Sequence, residues 1–256
     1  ITFEKYLKLD KHFDLRVYKL KKEFLQNGDI DPKKPLFLVD SKIEKNDFKY
    51  KIEKLKNHNP KIQKMVVFNL DNISYLTNLR SFKAKFSSNF PSYLYLDFKN
   101  SNYILFVEKL PKFKIEDLEF RKISEFENFI KFIDDDIYVN LDEITLKNYL
   151  LLKNPKNIKS NFLNTIASIK PKSVKEISKI TDNAILAFKN KLKFGMSEFE
   201  LVELFERELC ALGSVAPSFK TILAIGENSA SIHYSSYDKN KFLKPESLLL
   251  LDCGGY

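Results

Sequence analysis

Tryptophan is absent from the 256 residues, and glycine (6), cysteine (2), methionine (2) and histidine (3) are scarce. Each shortage excludes something. Two cysteines, Cys210 and Cys253, make no disulfide framework in a chain this long, so a reducing compartment and a cytoplasmic location are the expectation. No glycine-rich phosphate loop is present. No apolar run approaches the ~20 residues a membrane helix needs, and no secretory leader opens the chain; no membrane partner is expected. Basic residues outnumber acids, giving a net charge of +9 and a pI near 9.2. That balance raises a nucleic-acid partner. The lysines, however, are spread from end to end among Glu and Asp, with no five-residue run wholly basic. This is the pattern of solvated helix faces, and no nucleic-acid partner is expected. Abundant Lys, Asn and Phe beside scarce Arg, Gly and Trp fit an AT-rich coding sequence.

What is present is the balance of a soluble globular protein, 44 % hydrophobic and 30 % charged. The length suits one large domain or two ordinary ones. Hydrophobic periodicity predicts an α/β (α+β) fold in three stretches. Residues 1–60 hold a helix over 13–25, with Phe13, Val17, Leu20 and Phe24 on one side, a turn over 26–32, an extended segment over 35–39 and a helix over 47–56. Asn57 to Pro60 breaks the chain. Residues 61–165 read as a mixed sheet with helices. Strands are predicted over 65–68, 93–96, 103–107 and 137–140, with residues 97–102 as a hairpin. Residues 72–80 read as a turn followed by extended chain, 116–133 as a strand and a helix, and 144–153 as a short helix. Residues 166–256 open with a helix over 173–193, Ser173 its cap with Glu176 three residues on. Ile177, Ile180, Ala184, Ala187 and Phe188 form its buried stripe. Ser197 and Glu200 make a second capping box for a helix over 198–212, which Gly213 closes. Strands are predicted over 219–224, 230–234 and 248–252.

The chemistry is concentrated between Pro217 and Tyr256. A buried strand, Leu248 to Leu251, delivers Asp252 onto a turn made by Cys253, Gly254 and Gly255. Such a carboxylate is costly unless it is paired or binds a metal; a turn cap, a partner for a lysine and a metal ligand are all open on the residues alone. His233 is a lone histidine on a predicted strand, more often a structural residue than a catalyst, and both readings stay open. Cys253 lacks a second Cys or His at ligand spacing. His12 and His58 sit in Lys-rich surroundings and take no role.

Ser218 to Ile222, Gly226 to Ala230, His233-Tyr234 and Leu250 to Gly255 occur in order and close together. They resemble the first half of the catalytic domain of Xaa-Pro aminopeptidases, the proline-directed "pita-bread" metallopeptidases. Ile169-Lys170, Lys175 to Ile177, Ala184 and Gly195 to Glu198 resemble that family's lead-in helices, and Asn72 to Arg80 its non-catalytic domain. The resemblance implies three parts: residues 1–60 as the end of a first N-terminal domain, 61–165 as a second one of creatinase/prolidase type, and 166–256 as an incomplete pita-bread catalytic domain. It implies release of the N-terminal residue from peptides with proline second, by two divalent metal ions, manganese, in a cytoplasmic homodimer. Asp252 is similar to the family's first metal-binding aspartate. His233 is similar to its catalytic, substrate-contacting histidine. Asn228 shapes the same loop, and Arg80 is a candidate to reach an active site across a dimer. The family supplies a second aspartate, a histidine and two glutamates further on; none can be assigned here. The chain therefore reads as cut at both ends and inactive alone. A metal-free relative that binds peptides or proteins is the alternative.

Overall fold

The computed structural model describes residues 2–11, 34–40, 46–58, 60–158 and 172–256. They belong to two compact units, Ile1–Lys170 and Pro171–Tyr256. The helix expected over 13–25 and the turn over 26–32 lie outside the described residues.

The described elements of the first unit are α1 (Phe3–Asp10), β1 (Phe37–Leu38), α2 (Phe48–His58), β2 (Lys64–Val67), α3 (Leu70–Thr77), β3 (Leu79–Arg80), β4 (Ser92–Asp97) and β5 (Asn102–Val107). They continue with β6 (Leu118–Lys122), α4 (Phe126–Lys131), β7 (Ile137–Val139), α5 (Leu146–Tyr149) and β8 (Pro155–Asn157). Six strands form one mixed sheet in the order β6-β5-β4-β2-β7-β8. Its central strands are apolar on both sides, the signature of a sheet covered on both faces. Met65, Val67, Leu94, Leu96 and Leu105 meet α2 and α3 on one face. Val66, Tyr95, Ile104, Phe106 and Val139 meet α4 on the other. Phe48, Ile52 and Leu55 of α2 lie in the first of these cores, so the packing runs straight through the break read near residue 60.

Two local expectations are corrected, and one strand was not expected. Residues 72–77 are helical, not a turn leading to extended chain. Asn69 caps α3 by accepting from Asn72 N–H at 2.9 Å, and Asn78 ends it in the left-handed region at φ 55°. The helix expected over 144–153 is only the single turn of α5. β8 went unread because Pro155 opens it, a residue tolerated at a sheet edge, where this strand lies.

The second unit comprises α6 (Lys172–Lys191), α7 (Glu198–Ala211), β9 (Ile222–Ile225) and β10 (Leu249–Asp252). Helix α6 begins one residue before Ser173, whose side chain lies outside the described residues. Of its expected stripe, Ala184 and Phe188 are buried and Ile177, Ile180 and Ala187 half-buried. Phe188 meets Phe205 of α7 edge-on, ring centroids 5.9 Å apart. The capping box is as read: Glu200 N–H donates to Ser197 Oγ and Ser197 N–H to Glu200 Oε2. Gly213 follows α7 at φ 110°, a conformation that favours glycine.

Strands β9 and β10 pair antiparallel, with Leu251 opposite Leu223 and Asp252 opposite Ile222. Two expectations fail here. The strand expected over 230–234 does not form. Gly226, at φ 58°, opens a 3-10 turn over Gly226–Ala230, and the chain then loops out, leaving Ile232 88 % exposed. The strand of leucines is also not buried. Leu248 is 65 % exposed and Leu249 to Leu251 are half-buried, because β9 is the only partner of β10 among the described residues.

Candidate active site

Strand β10 ends on Asp252, whose side chain is exposed. The glycines after it do not form the expected turn. Residues 253–256 continue extended beside residues 214–218: Ser218 N–H donates to Gly254 O at 3.0 Å, Val215 N–H to Tyr256 O at 2.9 Å and Tyr256 N–H to Ala216 O at 2.9 Å. Close approach explains the glycines. A Cβ on Gly254 would stand 2.7 Å from Ser218 Oγ, and one on Gly255 2.5 Å from Ser214 Oγ and 3.2 Å from Ile177 Cδ1. Burial, then the charges of Asp252 and Asp182, push the Cys253 thiol up to about 11, which disfavours the thiolate a soft metal would take.

His233 stands on the loop between the 3-10 turn and β10, with its backbone at φ 55°, the left-handed region. Its side chain is exposed. His233 and Asp252 line one open cleft of about 660 Å³, with Ile185, Ile222, Ile232 and Leu250 as its apolar wall. Leu251, Cys253 and Ser229 to Ser231 complete the lining. The structure thus brings together the two residues singled out by sequence.

Asn228 anchors the loop, as read, but to a residue that sequence reasoning passed over. Glu198, the first residue of α7, is fully buried. Its Oε1 accepts from Ile225 N–H (2.8 Å) and Asn228 Nδ2 (2.9 Å); its Oε2 accepts from Tyr234 OH (2.6 Å) and Asp238 N–H (2.8 Å). Asn228 Nδ2 also donates to Tyr234 OH at 3.0 Å. Burial and the Glu198 carboxylate hold the Tyr234 hydroxyl up at about 12, so it stays protonated and donates. Glu198 carried two sequence signals, neither of which gave it a role: it closes the Gly195 to Glu198 stretch that resembles the family's lead-in helices, and it stands in Ser197-Glu-Phe-Glu200, where the capping role falls to Glu200 and leaves the other acid unexplained. Arg80 is engaged locally, its Nη1 donating to Ser74 O and to Leu79 O. Exposed His58 lies 3.2 Å from Lys54 O, and His12 lies outside the described residues.

No three His, Cys, Asp or Glu side chains among the described residues group as a metal centre. One hard oxygen ligand, Asp252, is present in the cleft and fits a divalent cation as one member of a larger set.

A mixed sheet covered on both faces, followed by two helices against a strand pair whose end and connecting loop present an acid and a histidine, defines the class. It is a creatinase-type N-terminal unit joined to the opening part of a pita-bread fold. The model of the Creatinase/Prolidase N-terminal domain matches residues 29–191, and that of Metallopeptidase family M24 matches residues 172–256. The first of these models spans more than half of the chain, so the chain belongs to the creatinase/prolidase family, with its last 85 residues matching the M24 metallopeptidases.

Among solved structures it is similar to an X-prolyl aminopeptidase from Caenorhabditis elegans, described as a cytosolic enzyme with a di-nuclear active site. The TM-score is 0.73 at 20 % identity, over 86 % of this chain and 41 % of that one. It is similar to a Xaa-Pro dipeptidase from Bacillus anthracis, with TM-score 0.64 at 20 % identity, over 82 % of this chain and 61 % of that one. Zn-substituted E. coli aminopeptidase P in complex with product matches with TM-score 0.62 at 16 % identity, over 86 % and 60 %. At these identities the likeness concerns the fold. The chain spans between 41 % and 61 % of the length of these relatives. No helix among the described residues is long and apolar enough to cross a membrane.

Proposed function

We propose that the full-length protein is a metal-dependent aminopeptidase that releases the N-terminal residue from peptides with proline second. The observation that carries this reading is that Asp252 and His233 line one cleft in a chain of this family. Asp252 is one oxygen ligand of a pair of divalent cations, manganese being the metal that hard ligands suit. When bound, such cations supply Lewis acidity and an activated water. His233 donates from its imidazole to the substrate carbonyl oxygen, where charge develops. Ile185, Ile222, Ile232 and Leu250 give the cleft an apolar wall. A proline amide has no N–H, so recognition rests on shape and apolar contact rather than on a hydrogen bond to that nitrogen. Cytoplasmic location and a homodimer complete the proposal.

The test uses the full-length protein and an Xaa-Pro peptide. Asp252→Ala is expected to lower both bound metal and turnover. His233→Ala is expected to keep the metal and lower kcat by about 10²–10³-fold, the cost of one donor to a developing oxyanion. Unchanged turnover in both variants overturns the assignment. A single acidic ligand among the described residues also fits a relative that binds peptides without metal. Peptide binding with no bound manganese in the full-length protein would establish that second reading instead.

A further inference from the structure

We infer that Glu198 is a positioning residue that sets the loop carrying His233. The claim rests on the proposed role of His233 and deepens it. Glu198 is wholly buried, and among the described residues no lysine or arginine bonds to its carboxylate; four hydrogen-bond donors surround it instead. Each oxygen takes two, which fills the acceptor capacity of a carboxylate. A carboxylate that merely satisfied its own helix end would bond to the first turn of α7. This one turns away from it. All four donors come from Ile225, Asn228, Tyr234 and Asp238, residues on both sides of His233. The backbone adds a fifth tie at the far end of the loop, Glu198 N–H donating to Lys241 O at 3.1 Å.

The loop tip needs such a fixture. Ser231, Ile232 and His233 are exposed, and His233 holds a left-handed backbone conformation that a non-glycine residue keeps only where its surroundings impose it. The residue that imposes it is Tyr234, next in the chain, whose hydroxyl is gripped by Glu198 and Asn228. A carboxylate is required rather than an amide. Glutamine would accept at one oxygen only and would turn an N–H₂ group toward Asp238 N–H, which can only donate.

The experiment compares parent, Glu198→Gln, Tyr234→Phe and the double variant Glu198→Gln/His233→Ala in the full-length protein, in the presence of zinc, a diamagnetic cation. The readouts are the His233 imidazole NMR signal, assigned by its loss in His233→Ala, and kcat and KM on an Xaa-Pro peptide. Glu198→Gln is expected to move the His233 signal to the position of a free, averaged imidazole. Its kcat should fall by about 10²-fold, as misplacement of a reacting group does, with KM and bound metal nearly unchanged. Tyr234→Phe, which removes one hydroxyl and keeps the ring, should shift the same signal partway. In the His233→Ala background, Glu198→Gln should cost almost nothing further, the non-additivity of residues that act as a unit. An unmoved His233 signal in both Glu198→Gln and Tyr234→Phe overturns the inference, as does full additivity with His233→Ala. If the parent turns over no Xaa-Pro peptide, the peptidase reading fails on its own, and the imidazole signal still decides the role of Glu198.

Discussion

Lys51 shows what a single charged residue can demand of its surroundings. It is 1 % exposed, yet its ammonium donates to Tyr75 O at 2.7 Å and to Asn78 Oδ1, and sits 4.0 Å from the centre of the Tyr75 ring. These contacts tie α2 to the end of α3, where Asn78 holds the left-handed backbone that stops the helix. Lys51→Met keeps the aliphatic stem and removes the donor to one buried and one part-buried acceptor. It is expected to cost about 2–3 kcal/mol, each unsatisfied buried group accounting for roughly 1–3 kcal/mol. Urea unfolding of the first unit followed by far-UV circular dichroism checks this; a loss below about 0.5 kcal/mol, the level of an ordinary surface change, contradicts it. Cys253 offers a chemical check on the cleft. With its thiol pushed up to about 11, only about one molecule in a thousand is thiolate at pH 8, so exposed Cys210 should be alkylated by iodoacetamide well before it. Mass spectrometry of a time course reads the order, and equal rates would contradict the half-buried setting of Cys253.

The β4–β5 hairpin carries its own pH dependence. Asp97 Oδ1 accepts from Lys99 N–H and Asn100 N–H, both at 3.0 Å, its Oδ2 accepts from Asn100 Nδ2 at 2.9 Å, and Lys64 lies 3.6 Å away. Burial raises the carboxyl, but the Asn100 hydrogen bonds and the Lys64 charge outweigh it and hold it below the ordinary range. A depressed folded value means stability that is fully present above the unfolded carboxylate range and lost as pH falls through the folded value. The first unit should therefore weaken below about pH 4, and Asp97→Asn should remove that share of the dependence, read from unfolding midpoints between about pH 6 and pH 3. Elements like this hairpin were legible because their signals are local: apolar runs over 93–96 and 103–107 around a polar six-residue turn. The capping box at Ser197 and Glu200 is equally local. Helix α3 was missed because its cap and stop are both asparagines, which read as turn residues until their geometry is known. The loop that Asn228 shapes was legible, but a strand was also expected over 230–234 because apolar Ile232 and Tyr234 suit one, whereas the fixture that pulls Tyr234 aside lies 36 residues earlier. In the cleft, Asp252 and His233 stood out as residue types in a familiar order; Glu198 did not, since its burial and its bonds to residues far along the chain, which distinguish it from Glu200, arise only on folding.

Over the whole chain the +9 charge is dispersed rather than gathered. Lys64 meets Asp97 and Asp135, Lys147 meets Glu127, Lys153 meets Asp134, Lys156 meets Asp136 and Lys191 meets Glu208. Binding to nucleic acid gains from many lysines neutralising phosphates together and releasing their counterions, and lysines already facing acids offer little of that. The full-length protein should therefore leave immobilised DNA below about 150 mM salt; retention well above that contradicts the dispersed pattern. The close fit of Gly254 and Gly255 against Ser218 and Ser214 has a different kind of consequence. In a saturation scan scored only by activity, positions 254 and 255 will look as intolerant as position 252, and a reader of that scan would assign them chemistry. Scoring cellular abundance beside activity separates the two: larger residues at 254 and 255 should deplete the protein itself, whereas Asp252 variants should persist as inert copies.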